Sequence, residues 1–156
     1  MYIYDALGTK LRKEVYMNDN LSVIDYCGEA EFYDSTLKYI HTEEGMVEFN
    51  DDNSFTYEYF LKDHLGNTRA VVSADTESNL VIGQVSGYYP FGMVHTGVPS
   101  MSNTGSGNKY LYNGKELQDE SLGGVNLDWY DYGARFYDSQ IGRWHVIDPM
   151  TEKHTG

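Results

Sequence analysis

The residues best equipped for chemistry crowd into one run from Gly133 to Pro149, GARFYDSQIGRWHVIDP. It holds Arg135 and Asp148, thirteen residues apart, with Asp138 and His145 between them. That separation suits opposite arms of a hairpin turning over Ser139-Gln140-Ile141-Gly142, which brings guanidinium and carboxylate together. An arginine beside a carboxylate keeps it ionised and can support a developing oxyanion. Carboxylate-driven hydrolysis needs two carboxyl groups that share a proton, one acting as base and the other as acid. Asp148 fills one of these roles, and Asp138 is the only other carboxylate in the run. The alternative is an ion pair that locks a hairpin beside Phe136, Tyr137 and Trp144, with Asp148-Pro149 as an ordinary turn start.

Other reactive residues have simpler readings. Cys27, the only cysteine, lies in the alternating run VIDYCGE and reads as a small apolar strand residue. One cysteine makes neither an internal disulfide nor a zinc site. His64 reads as a turn residue and His145 as a strand residue, and neither has further ligands at metal-binding spacing. Asp51-Asp52-Asn53 lacks the spaced oxygen ligands of a calcium loop and reads as a solvated turn. Tyr88-Tyr89 and Trp129-Tyr130 suit either sugar stacking or aromatic packing across strands. The residues imply no cofactor and no metal.

The elements that must position these groups read as strands and turns. Tyr2 and Tyr4, then Leu11, Lys13 and Val15, alternate on either side of Asp5-Ala6-Leu7-Gly8. Asp opens such turns and Gly accepts their left-handed position, so the unit predicts a hairpin. It recurs at Asp63-His64-Leu65-Gly66, between Tyr57-Leu61 and Arg69-Val72. Between the two, SVIDYCG, AEFYDSTLKYIHT and GMVEFNDDNSFTYEY read as further strands, with turns at Asp34-Ser35, Glu43-Glu44-Gly45 and Asp51-Asp52-Asn53. Lys109–Tyr112 is expected to be a strand ending at Asn113-Gly114, and KELQDESLGG a short helical turn. Residues 95–108 are small and polar and read as a flexible surface loop. No long stretch has a helical period. The prediction is an all-β chain of short antiparallel strands and hairpins.

Composition agrees. Fifteen Tyr, six Phe and two Trp favour pleated, half-buried surfaces, and sixteen Gly favour turns. The net charge of −13 repels phosphate backbones and anionic lipid, which argues against nucleic-acid and membrane-surface partners. No run is long and apolar enough to span a bilayer as a helix, and no targeting signal is read after Met1.

YIYDALGTKL and YFLKDHLGNTR resemble the tyrosine–aspartate repeats of Rhs proteins. YYPFGM, KYLYNGKELQDE and LDWYDYGARFYDSQIGRWHVIDPM resemble the Rhs repeat-associated core domain, in the form common in Bacteroidetes-type sequences. The resemblance implies repeat-like strands over residues 1–73, a core domain over 74–150 and a tail over 151–156. It implies a spiralling β-sheet that forms part of a hollow shell around a C-terminal toxin polypeptide. The expected partners are the rest of that shell and its cargo, and the expected location is secreted or cell-surface. Family members cut their cargo free with an aspartic-protease-like site, whose Arg and first Asp correspond to Arg135 and Asp148. The family's second Asp lies in a later DP motif with no counterpart in MTEKHTG, so this chain is expected to be inactive alone. Related repeats occur in animal adhesion proteins, and a carbohydrate-binding or adhesion module is the alternative. Exposed aromatics on one face favour adhesion; a buried aromatic interior with unpaired sheet edges favours the shell. Such edges also predict self-association.

Overall fold

The computed structural model describes residues 1–17, 20–95, 107–122 and 124–148. The fold is all-β. Nine strands follow one another as a meander: β1 (Tyr2–Tyr4), β2 (Lys10–Met17), β3 (Asn20–Cys27), β4 (Ala30–Tyr33), β5 (Thr36–His41), β6 (Gly45–Phe49), β7 (Phe55–Lys62), β8 (Thr68–Ala74) and β9 (Leu80–Val85). Each neighbour in the sheet is also the neighbour in sequence. A second sheet has the order β10 (Glu116–Gln118), β13 (Trp129–Asp131), β14 (Phe136–Asp138) and β15 (Arg143–Trp144). Strands β11 (Ser121–Leu122) and β12 (Val125–Asn126) form a small hairpin. The chain divides into two compact units, one of Met1–Leu61 with Ala70–Gly83, the other of Lys62–Arg69 with the described residues from Gln84 onward.

One turn type recurs along the chain. Asp5, Asp63 and Asp75 each accept hydrogen bonds at Oδ1 from the backbone N–H groups two and four residues on, at 2.8–3.0 Å. Their own N–H donates to the carbonyl four residues on, and the residue at the fourth position donates back to the Asp carbonyl. That residue must be left-handed: Gly8 at φ 84°, Gly66 at φ 80° and Ser78 at φ 65°. The same two backbone bonds close Asn50–Ser54, Tyr89–Met93 and Leu111–Lys115. A short acceptor at the first position satisfies N–H groups that a tight turn otherwise leaves unpaired, which is why Asp recurs there.

In the first unit, register sorts the side chains onto two faces. Lys13 pairs with Ile24, Ile24 with Tyr33, Glu31 with Tyr39, His41 with Met46 and Met46 with Glu58, so all share one face. That face carries five buried strand residues: Lys13, Ile24, Glu31, Met46 and Glu58 are each less than 10% exposed. Charges so buried need partners, and Glu31 receives one from His41 Nε2 at 2.6 Å. The opposite face shows Ile3, Tyr16, Leu21, Phe55, Tyr57 and Tyr59 to solvent. Arg12 and Asp25 form a two-point cross-strand pair there, at 2.6 and 3.1 Å. Gly45 allows β6 to approach β7: a Cβ on it would lie 1.9 Å from the carbonyl oxygen of Glu58.

Two local expectations are corrected. Lys109–Tyr112 is not a strand; Tyr110 makes a single bridge to Glu116, and Tyr112–Gly114 is a 3-10 turn. KELQDESLGG is not helical, since it supplies β10 and β11. The cause is the left-handed pair Asn113 (φ 51°) and Gly114 (φ 65°), which reverses the chain early and moves the strand downstream. The expected loop falls mostly on 96–106, and the expected tail on 151–156; these lie outside the described residues.

Candidate functional site

Arg135 stands at the end of a tight connection between β13 and β14. Asp131 Oδ1 accepts from Gly133 N–H at 2.7 Å, Gly133 is left-handed, and Tyr132 N–H donates to Arg135 C=O at 3.1 Å. These bonds fix where the Arg135 side chain starts. Its guanidinium lies 4.2 Å from the centre of the Trp144 ring, a stacking geometry that favours a cation. Its Nη2 is 3.0 Å from Asp148 Oδ2.

The hairpin that joins them is β14–β15, with Tyr137 opposite Trp144 and Asp138 opposite Arg143. The turn falls on Ser139–Gly142, and Asp138 Oδ1 caps it by accepting from Gln140 and Ile141 N–H. The structure therefore brings Arg135 and Asp148 together. Asp138 faces elsewhere, with Oδ2 3.8 Å from His145 Nε2. His145 lies one residue past β15; its ring covers Trp129 at 3.7 Å and its N–H donates to Phe136 C=O.

Arg135 keeps 20% of its side-chain exposure and Asp148 keeps 44%. An ion pair that open contributes roughly 1 kcal/mol or less to stability, and the geometry suits a hairpin lock as well as a held carboxylate. An arginine-held carboxylate can act as an ionised base or position a polar group. Asp138, engaged by its own turn and His145, does not supply the acid partner that two-carboxyl chemistry requires.

The other sequence candidates fall apart spatially. Tyr130 is fully buried and donates from its hydroxyl to Gly92 C=O at 3.0 Å. Tyr88 donates to Thr68 C=O at 2.5 Å, and Arg69 lies over its ring. Burial holds the hydroxyls of Tyr88 and Tyr132 up at about 12, well above the ordinary tyrosine value. Tyr89 is exposed and packs on His95, ring centres 4.0 Å apart. Cys27 is exposed at the end of β3. Asp52 accepts from Ser54 N–H in a turn with left-handed Asn53. Sequence reading overlooked Gln84, which is 5% exposed and has a carbonyl oxygen without a partner among the described residues.

No family model matches the chain. Salivary gland surface protein 1 of Aedes aegypti is 32% identical over 114 residues, a span of 73% of this chain and 3% of that protein. Among solved structures, the Photorhabdus luminescens Tc holotoxin pore aligns with 96% of this chain at a TM-score of 0.70 and 20% identity. The crystal structure of TcdB2-TccC3-Cdc42 aligns with 95% at a TM-score of 0.67 and 21% identity, and that of TcdB2-TccC3 with 95% at 0.66 and 22%. This chain spans 8% of each of these solved chains. The all-β fold is thus that of a segment of the TcdB2-TccC3 structures.

Proposed function

We propose that this chain is a wall segment of an Rhs-type β shell enclosing a polypeptide toxin, and that Arg135 and Asp148 are half of its self-processing centre. The observation that carries the reading is the fold likeness over nearly the whole chain to TcdB2-TccC3. The sequential meander and its recurring five-residue turn support it, because a wall grows by repeating strand and turn. In this reading residues 1–73 supply repeat strands and 74–150 the core domain. The partners are the remaining shell and its cargo, the protein works outside the cell, and exposed sheet edges pair with adjoining segments. The test extends the chain downstream through a second DP motif and follows its size on a denaturing gel. Self-cleavage that disappears in Asp148→Asn and Arg135→Ala is expected. An uncut extended chain, or cleavage that survives both substitutions, overturns the processing role.

Adhesion is the second reading. Phe55, Tyr57 and Tyr59 lie exposed on one sheet face, and the Aedes aegypti relative is a surface protein. Binding on a glycan array that Tyr57→Ala and Tyr59→Ala abolish would favour it.

A further inference from the structure

Within the second unit, the pair Asn113-Gly114 lies where two turns dock on each other. Asn113 N–H donates to Asn67 Oδ1 at 2.8 Å, and Asn113 Nδ2 donates to Leu65 C=O at 3.2 Å. The Tyr132 hydroxyl donates to Asn113 Oδ1 at 2.9 Å. Asn67 is fixed in turn: it is 4% exposed, and its Nδ2 donates to Asp63 Oδ2 at 2.9 Å. The backbone nitrogen, side-chain nitrogen and side-chain oxygen of Asn113 are thus all engaged, although the residue is exposed to water.

An asparagine before glycine carries its own chemistry. The Gly114 nitrogen can attack Asn113 Cγ, since glycine has no Cβ to obstruct the approach. A C–N bond forms and closes a five-membered succinimide, and the bond from Cγ to Nδ2 breaks. The proton of the attacking nitrogen passes through water to Nδ2, which leaves as ammonia. Water then opens the ring at either carbonyl and yields aspartate or isoaspartate, so one water enters and one ammonia departs. The folded turn withholds this reaction. At ψ 25° the Asn113 Cβ and the Gly114 nitrogen lie on opposite sides of the Cα–C bond, so Cγ is out of reach. Gly114 N–H is also committed to Leu111 C=O at 3.2 Å. Ring closure therefore requires the turn to open and give up its bonds to Asn67, Leu65 and Tyr132.

We propose that Asn113 is a deamidation site that the fold keeps latent, released only when the Leu111–Lys115 turn lifts off the Asp63–Asn67 turn. The reaction then fixes the opening. Aspartate lacks the Nδ2 donor that meets Leu65 C=O and adds a negative charge. Isoaspartate lengthens the main chain by one atom inside a turn closed by the Gly114–Leu111 and Lys115–Tyr112 bonds. Neither product restores the original contacts. This goes beyond the shell reading and does not depend on it.

The test incubates the whole chain at mildly alkaline pH, with and without urea, and follows Asn113 over time by peptide mapping and mass spectrometry. Deamidation is expected to run about tenfold or more faster in the unfolded chain, because the folded chain reacts only through its open fraction. In the folded chain, Tyr132→Phe removes one latch bond and should raise the rate about two- to tenfold, with Asn67→Ala acting in the same direction. Exchange of Thr68 N–H, which donates to Leu111 C=O at 3.0 Å, should quicken in parallel. Tyr137→Phe is the control: that hydroxyl donates to Phe91 C=O and should leave the Asn113 rate unchanged. Equal rates in folded and unfolded chain overturn the proposal. So does a Tyr132→Phe rate that is unchanged or slower, a slower one meaning that the hydroxyl assists the attack on Cγ. Acceleration by Tyr137→Phe as large as by Tyr132→Phe also overturns it, since general loosening would then be the cause.

Discussion

Removing the Tyr130 hydroxyl is the sharpest probe of the second unit's core. Tyr130 is fully buried, packs on Tyr112 with ring centres 5.8 Å apart, and donates to Gly92 C=O at 3.0 Å. Gly92 is itself buried in the Tyr89–Met93 turn. In Tyr130→Phe the ring stays and the carbonyl loses this donor, so the cost is that of a stranded buried acceptor, about 1–3 kcal/mol. In Tyr130→Ala the ring goes too, and a large-to-small change at a fully buried site costs about 3–5 kcal/mol. Tyr137 provides the control. Its hydroxyl donates to Phe91 C=O at the same 3.0 Å, but water reaches that bond. Tyr137→Phe should therefore cost no more than about 0.5 kcal/mol. Urea unfolding followed by near-ultraviolet circular dichroism measures all three. A Tyr130→Phe midpoint equal to wild type, or a Tyr137→Phe loss as large, would refute the argument that burial decides the value of the bond.

Three further outcomes are expected. Gly45→Ala should destabilise the first unit by about 1–3 kcal/mol or more, since the new methyl meets the Glu58 backbone, and loss of β6–β7 protection in hydrogen exchange would report it. Burial raises Tyr39, Tyr88 and Tyr132 to about 12. Folded pKa values lie above unfolded ones there, so the stability they contribute is complete below pH 10 and is lost as pH climbs from 10 to 12, which tyrosinate absorbance and unfolding curves check together. Hydrogen bonds from Asn67 and from backbone N–H groups lower the Asp63 carboxyl below 3.8. Its contribution is present above pH 3.8 and disappears as pH falls through the folded value, and Asp63→Ala should remove that part of the acid dependence in unfolding monitored against pH.

Legibility in the sequence followed how local each signal was. Asp5 and Asp63 announced their turns because every bond they make lies within four residues and a Gly marks the left-handed position. Asp75 makes the identical turn but places Ser78 there, so nothing in the residue type advertised it. Lys109–Tyr112 alternates like a strand, yet the left-handed pair at Asn113 and Gly114 overrode the pattern. Spacing anticipated the approach of Arg135 to Asp148 because one hairpin joins them. Gln84 was invisible: in LVIGQV a polar residue at alternate spacing reads as solvent-facing, yet it is 5% exposed.

The strictly sequential order of the first nine strands bears on how the protein is made. Each strand's pairing partner precedes it on the chain, so each can dock as soon as it clears the ribosome, with only a short loop to close. No strand waits exposed for a distant mate, which shortens the interval in which aromatic strands are open to aggregation during synthesis. A genetic duplication of one strand-and-turn pair therefore lengthens the sheet without rewiring any existing pairing.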